Sequence, residues 1–134
     1  MKKALLFLFL FGGAIIAKSQ QVRLFTKVDG LSQSVISCIQ QTPDGYVWLG
    51  TQDGLNRFDS YTFRIFNQQQ GLVSAQINTC ITDKNGNLWI GTEQGLFRRE
   101  NGSTPIVQVP AGIDNLSVLA LCHDSTTALW KGTS

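Results

Sequence analysis

The chain has 134 residues, of which 43% are hydrophobic and 15% are charged, and its formal net charge is +2 at pH 7. Three of its 11 basic residues, Lys2, Lys3 and Lys18, lie in the first 19 positions. The remaining sequence therefore has eight basic and nine acidic residues, which gives a net charge of −1. No basic stripe is left that could neutralise phosphates, so the composition argues against a nucleic-acid partner.

The N-terminal segment has the pattern of a secretory signal peptide. Two lysines are followed by an apolar stretch at residues 4–17, and Ala17 and Ser19 occupy the −3 and −1 positions of a small-residue cleavage site before Gln20. An apolar stretch of 14 residues is shorter than the roughly 20 that a membrane-spanning helix needs. We therefore predict a cleaved signal peptide at residues 1–19, export to the periplasm, and no membrane span in this chain.

A short phrase, Trp-x-Gly-Thr, occurs three times, and its copies begin 41 residues apart. The recurring signature, with the glycine that follows it in the first two copies, comprises Trp48, Gly50, Thr51 and Gly54, then Trp89, Gly91, Thr92 and Gly95, and finally Trp130, Gly132 and Thr133. A period of about 40 residues with a Trp-Gly signature is typical of β-propellers, in which each repeat forms one small antiparallel sheet, or blade. The chain is therefore predicted to be all-β.

Each repeat begins with an inner strand and a tight turn. The inner strands are predicted at residues 35–39, 77–81 and 118–122, where small and apolar residues follow one another. Asp44-Gly45 and Asn85-Gly86 then predict hairpin turns of type I′, which require a positive φ at both central residues.

The rest of each repeat supplies three more strands. The second strand carries the signature, whose Trp is expected to pack between blades and whose Gly is expected to allow a close backbone approach. The third strand is predicted at residues 55–58 and 96–99, and the fourth at 62–66 and 106–109. The fourth strand is expected at the outer edge of the blade, where Pro105 is tolerated because an edge residue need not donate a hydrogen bond.

The order of the predicted strands makes residues 20–134 an incomplete β-propeller. The predicted parts are a lone outer strand at 22–26, blade 1 at 30–67, blade 2 at 71–109, and the first hairpin of blade 3 at 112–134. About two and a half four-stranded blades do not close a ring, since known propellers have about four to eight. We therefore predict that the chain begins a longer protein and that the missing blades are its partners.

The sequence offers no catalytic, metal or cofactor site. Cys38, Cys80 and Cys122 are spaced 42 residues apart on the inner strands. Their odd number and wide spacing suit neither a disulfide nor a metal site well, so small buried thiols are expected. His123 is the only histidine and stands beside Asp124. With no nucleophile or second ligand nearby in sequence, this pair is interpreted as structural.

Residues 30–59 resemble the two-component regulator propeller repeat, a family best known from the periplasmic sensor region of hybrid histidine kinases in Bacteroidetes. The resemblance implies a sensor that binds a glycan-derived oligosaccharide as part of a full-length kinase. It also implies that this chain is no enzyme itself, because no kinase segment is present. The ligand contacts stay unknown; the loops at residues 30–33 and 70–74 are candidates by topology, and ordinary turns between blades are the alternative.

Two other functions remain open at this stage. The same repeat occurs in exported scaffold or interaction proteins, including a propeller component linked to type IX secretion. A propeller lyase, such as streptogramin lyase, is loosely similar in its Trp-Gly blades. A lyase needs a general base and usually a metal at the centre of the ring, and one histidine without clustered carboxylates offers no such arrangement.

Overall fold

The structure, a computed structural model, describes residues 21–110, 112, 115–124 and 129–133. The predicted signal peptide, with its cleavage residues Ala17, Ser19 and Gln20, lies outside the described residues. The strands are β1 (Cys38–Gln41), β2 (Val47–Thr51), β3 (Gly54–Phe58), β4 (Phe63–Phe66), β5 (Ile77–Thr82), β6 (Leu88–Thr92), β7 (Gly95–Arg99), β8 (Ile106–Gln108), β9 (Val118–His123) and β10 (Leu129–Thr133). The described helical segments are two 3₁₀ turns, Lys27–Asp29 and Gln68–Gln70, which lie ahead of β1 and β5.

The strands form two complete blades and one hairpin. Blade 1 has the order β1-β2-β3-β4, blade 2 has the order β5-β6-β7-β8, and β9 pairs with β10. All neighbours are antiparallel. The inner strands β1, β5 and β9 lie side by side, and no sheet closes on itself among the described residues. The predicted partial propeller of about two and a half four-stranded blades is confirmed.

The core of the molecule lies at the seam between blades 1 and 2. Its buried side chains, contributed by both blades, are Trp48, Leu55, Phe66, Leu72, Ile77, Cys80, Leu88, Ile90, Phe97 and Ile106. A smaller cluster around Leu96 and Val118 lies at the seam between blade 2 and the β9–β10 hairpin. Each blade has two apolar faces, so a blade is buried only where a second blade stacks against it.

The first turn of each blade differs from the predicted type I′ geometry. Gly45 and Gly86 have φ values of 88° and 84°, whereas Asp44 and Asn85 are not among the described residues with positive φ. The N–H of Gly45 donates to the carbonyl of Thr42 over 2.9 Å. The loop therefore has three residues and ends in a left-handed glycine, a geometry that needs only one positive φ. The turn lies at the predicted residues, but its predicted type is wrong.

The predicted outer strand at residues 22–26 is not a strand in the structure. A strand needs the backbone N–H and C=O groups of a neighbour, and no described strand runs alongside this segment. Its packing against blade 1 is aromatic. The ring of Phe25 lies edge-on to Phe58, with 4.7 Å between centroids, and to Phe63, with 5.4 Å.

The first inner strand begins later than predicted, at Cys38 rather than residue 35, whereas β5 and β9 begin at the predicted residues. Cys38 pairs with Gly50, one residue before β2 ends at Thr51. Residues before position 37 therefore have no β2 backbone opposite them. The side chain of Val35 accordingly remains 62% exposed.

Candidate functional site

The signature glycine lies where two blades touch. A Cβ atom at Gly50 would lie 2.6 Å from the Sγ of Cys38 and 2.6 Å from the Cγ2 of Ile77 in the next blade. At Gly91 it would lie 2.7 Å from the Cγ1 of Val118. Neither position has room for a side chain. The Gly of the phrase therefore sets how closely neighbouring blades approach.

Hydrogen bonds between inner strands repeat along the molecule. The hydroxyl of Ser37 donates to the carbonyl of Ile77 over 2.7 Å, and the amide of Asn78 donates to the carbonyl of Val118 over 3.2 Å. Ser37 and Asn78 occupy equivalent positions, 41 residues apart. Each repeat thus presents a polar side chain to the backbone of the next repeat.

The cysteines differ from the expectation of three buried thiols. Cys38 and Cys80 form a disulfide between the inner strands of blades 1 and 2, with their Cα atoms 5.8 Å apart. Cys122 is a free, exposed thiol. The expectation failed because the 42-residue spacing differs from the 41-residue repeat by one position. This shift turns Cys38 toward blade 2 and Cys80 back toward blade 1, so the two sulfur atoms meet.

The signature Trp of blade 1 is enclosed by two arginines. Trp48 has no exposed surface, and its indole N–H donates to the hydroxyl of Thr42 over 3.0 Å. The Cζ of Arg57, in the same blade, lies 6.0 Å from the ring centroid, and the Cζ of Arg99, in blade 2, lies 4.9 Å from it. Arg99 pairs with Asp44 over 2.7 Å, so an ion pair crosses the seam beside the ring.

The environment keeps Asp44 ionised. Partial burial alone would raise the pKa of its carboxyl, but hydrogen bonds from Thr42 and Arg99 outweigh burial, and the pKa lies below the ordinary value of 3.8. The side chain of Arg99 is 3% exposed and that of Asp44 is 21% exposed. Sequence reasoning missed this pair, because blade 1 has Phe58 where blade 2 has Arg99. That departure from the repeat was the available signal.

The second seam, between blade 2 and the β9–β10 hairpin, repeats this arrangement incompletely. Trp89 is half-buried, its indole N–H donates to the carboxylate of Asp83 over 2.9 Å, and Arg98 lies 5.4 Å from the ring centroid. A cleft of about 250 Å³ remains beside the ring. The third signature Trp, Trp130, is 64% exposed, and its indole N–H donates to Asp124 over 3.1 Å.

The signature Thr closes the turn between the second and third strands. The hydroxyl of Thr51 donates to the carbonyl of Gly54 over 2.9 Å, and that of Thr92 donates to the carbonyl of Gly95 over 3.0 Å. Both threonines are fully buried, and Gly54 and Gly95 have φ values of 127° and 110°. The same turn, closed by the signature Thr and the Gly three positions later, therefore occurs in both blades.

The candidate binding loops lie at the same end of the blades as these turns. In the loop at residues 30–33, the N–H of Ser32 donates to the side-chain oxygen of Asn56 over 2.9 Å, and the Asn56 amide donates back to the Ser32 hydroxyl over 2.7 Å. Leu31, in the same loop, is buried. These contacts hold the loop against β3 of blade 1.

Amide and carboxylate groups line this end of both blades, which we call the loop face; it comprises residues 30–33, 52–53, 70–76 and 93–94. The amide of Gln33 lies 3.4 Å from the carboxylate of Asp53, and the amide of Gln76 donates to Glu93 over 3.1 Å. In the loop at residues 70–74, Leu72 and Ser74 are buried. The loop face thus has an apolar base and a polar surface.

The described residues contain no group of three or more His, Cys, Asp and Glu side chains placed to hold a metal ion. His123 and Asp124 line the cleft beside Trp89, on the opposite end of the blades from the loop face. No helix within the described part of the chain is long and apolar enough to span a membrane.

The repeats match a known family. The profile of the family described as "Two component regulator propeller" matches residues 30–53 and 71–94, which are the equivalent parts of blades 1 and 2. Both blades match the two-component regulator propeller repeat. Both matches contain the strands and turns that hold the signature Trp, Gly and Thr residues.

The proteins similar to this chain are much longer than the part it matches. The protein called histidine kinase P4 of Formosa agariphila is 56% identical over 39 residues, which are 29% of this chain and 3% of that protein. The extracellular domain assigned to a hybrid two-component system of B. thetaiotaomicron shares the fold, with a TM-score of 0.69 and 24% identity, over 85% of this chain and 17% of that one.

Two more solved extracellular domains from the same bacterium are similar to this chain. They are described as parts of a one-component and a hybrid two-component system, are 27% and 26% identical, and have TM-scores of 0.64 and 0.62. Each match covers 73% of this chain and 14% of the other chain. The chain therefore spans a small part of the proteins it resembles.

Proposed function

We propose that this chain is the N-terminal part of an exported sensor propeller in a hybrid two-component system, and that the complete propeller binds a glycan-derived ligand. The observation that supports the proposal most is the pair of stacked four-stranded blades, which carry the family's repeat at equivalent positions. The similar proteins are extracellular domains of two-component systems or are named histidine kinase. Binding is the role of this chain, and phosphoryl transfer belongs to other domains of the longer protein.

The loop face is the proposed side for the ligand. Carboxamide groups donate to and accept from hydroxyl groups, and carboxylate groups accept from them, so the polar residues of this face suit an oligosaccharide. Gln33, Asp53, Gln76 and Glu93 stand on connections whose apolar residues are anchored in the seams. Binding groups on loops that a rigid scaffold positions are the usual arrangement for recognition.

The proposed location is the periplasm, with residues 1–19 removed as a signal peptide and residues 20–134 forming the incomplete propeller. In this division, residues 30–67 and 71–109 are blades, and residues 112–134 begin a third blade. The Cys38–Cys80 disulfide supports export, because disulfides persist in oxidising compartments and are rare in the cytosol.

One experiment tests whether the chain belongs to a larger sensor. An antibody against residues 52–64 is used to probe membrane and soluble fractions of the bacterium that encodes the chain. We expect a band much larger than the 14.7 kDa of this chain, in the membrane fraction. A band of about this size in the soluble periplasm would contradict the kinase assignment and favour a small scaffold or interaction protein.

A second experiment tests ligand sensing at the loop face. Asp53→Ala is introduced at the chromosomal gene, and transcript levels of glycan-utilisation genes are measured after a panel of oligosaccharides is added. We expect the response to be lost. The matched control is Asp59→Ala, which removes an exposed carboxylate from the opposite end of the same blade. Equal responses in both variants would contradict a ligand site on the loop face.

A further inference from the structure

The cleft beside Trp89 lies at the second seam. At the equivalent position of the first seam, an arginine covers the Trp ring. The lining of the cleft includes Asp83, Lys84, Trp89, Arg98, Asp124 and Leu129. At the first seam, the equivalent ring, Trp48, is fully buried because Arg99 from blade 2 stacks on it and pairs with Asp44. At the second seam, no described residue takes the place of Arg99.

The register of the strands shows what could reach this cleft. In blade 2, Arg99 of β7 pairs directly with Leu88 of β6. Leu129 of β10 is the residue equivalent to Leu88, 41 positions later, and it lines the cleft. Among the described residues, β10 pairs only with β9, so its other edge is open. A strand added to that edge would place one side chain opposite Leu129, at the cleft.

The chemistry of the cleft suits a guanidinium group. Asp83 contributes a carboxylate that accepts hydrogen bonds from the indole of Trp89, from the backbone and side chain of Asn87 and from the backbone of Asn85. Asp124 contributes a second carboxylate from the hairpin. Trp89 offers the aromatic face that cations favour. Of the two cations at the cleft, Arg98 is paired with Glu100 and occupies the position that Arg57 has at the first seam, and Lys84 is exposed.

We propose that the cleft beside Trp89 is an arginine-binding site, filled by the third strand of the blade that the β9–β10 hairpin begins, which adds to the open edge of β10. The arginine stacks on Trp89 as Arg99 does on Trp48. Its ionic partner is the carboxylate of Asp83, which stands where blade 1 has Thr42, since the residue equivalent to Asp44 is Asn85. The proposal rests on the proposed function in one respect: residues 112–134 must be the start of a third blade.

The test uses the full chain and a synthetic peptide that copies residues 93–109, the turn and outer hairpin of blade 2 that contains Arg99. Calorimetric titration measures binding, and hydrogen exchange locates it. We expect saturable binding with new protection of the β10 amides. Two control peptides carry Arg99→Met or Arg99→Phe, the latter being the residue of blade 1. Both are expected to bind roughly tenfold more weakly, since a charge-assisted hydrogen bond is lost.

Changes in the chain provide a second measurement. Asp83→Asn is expected to remove the preference for the arginine peptide, whereas Asp59→Asn, in a distant exposed turn, is expected to keep it. Equal binding of the three peptides to the unaltered chain would overturn the proposal, as would an absence of saturable binding or protection outside β10. Failure here is separate from failure of glycan sensing, because the oligosaccharide experiment does not involve the cleft.

Discussion

Gly50 and Gly91 carry no functional group, yet they decide how the blades stack. Neither glycine has a positive φ, so backbone freedom is not the reason for their presence. The reason is the contact with Ile77 or Val118 of the neighbouring blade, which any Cβ atom would enter. At Gly132 a Cβ would instead meet the Cβ of Ala120 at 3.6 Å, an ordinary contact.

Substitution of these glycines gives a direct test of the seams. Gly91→Ala is expected to lower the free energy of unfolding by roughly 1–3 kcal/mol, because overpacking forces the strands apart. Chemical denaturation followed by circular dichroism measures the change. Gly132→Ala is the matched control and is expected to have little effect. Equal destabilisation by both variants would contradict the steric account.

Arg99 and Arg98 are adjacent in sequence but differ in burial. Arg99→Ala removes the partner of Asp44 and the cation over Trp48, so we expect a loss of about 2–4 kcal/mol. Arg98→Ala breaks a more exposed pair with Glu100 and a cation–π contact with the half-buried Trp89, and should cost about 1 kcal/mol. Urea denaturation of the two variants compares them at the same change in charge. A larger loss of stability in Arg98→Ala than in Arg99→Ala would contradict the stabilising role of Arg99 at the first seam.

Acid should weaken the first seam through Asp44. Its pKa is lower in the folded chain than the ordinary value of 3.8, so at acid pH the unfolded state binds the proton more readily. The stability that this carboxylate contributes is full above its unfolded pKa and is lost as pH falls through its folded pKa. We expect Asp44→Asn to show a shallower decline of unfolding free energy below about pH 4 than the unaltered chain. Parallel curves would contradict this role.

Neighbouring blades are joined mainly through their inner strands. β1 and β5 are joined by the Ser37 hydrogen bond and by the Cys38–Cys80 disulfide, while β5 and β9 are joined by the Asn78 hydrogen bonds. The inner strand is therefore the element that connects one repeat to the next. The outer strands β4 and β8 pair only within their own blades among the described residues.

The disulfide should stabilise the first seam measurably. Its cysteines are 42 residues apart, so the cross-link restricts a long loop in the unfolded chain. We expect Cys80→Ala to lower the free energy of unfolding by about 2–4 kcal/mol under oxidising conditions. Cys122→Ala, which removes the exposed thiol, should leave it unchanged. Peptide mapping that finds Cys122 in the disulfide would contradict the structure.

Stability across the whole molecule should follow the number of covered blade faces. Blade 2 is stacked on both sides, by blade 1 and by the β9–β10 hairpin, and most of the core surrounds it. The hairpin has one covered face, and its residues Trp130, Leu119 and Cys122 are exposed. A two-stranded sheet is marginally stable by itself and depends on packing against other elements.

Hydrogen exchange can measure this gradient in the full chain. Amides of β6, in the middle of blade 2, should exchange slowly and near the rate set by global unfolding, whereas amides of β10 should exchange much faster. Mass spectrometry of peptic fragments resolves the two strands. Equal protection of β6 and β10 would show that the hairpin is as firmly held as the blades.

The residues within one repeat were sufficient to predict the blades. Glycine turns, the apolar inner strand and the Trp-x-Gly-Thr strand act over a few positions, so each repeat specifies four strands without knowledge of its neighbours. The repetition at 41 residues then made the partial propeller predictable. The same local reasoning placed the turns, although it chose the wrong turn type, because it treated Asp44 as a central residue of a two-residue loop.

Contacts between repeats depended on the tertiary structure. The Cys38–Cys80 disulfide and the Asp44–Arg99 pair join residues 42 and 55 positions apart. Whether such side chains meet depends on the rise and rotation from one blade to the next, which no single repeat encodes. The segment at residues 22–26 shows the converse, since a strand-like sequence forms no strand where no neighbouring strand is available to pair with it.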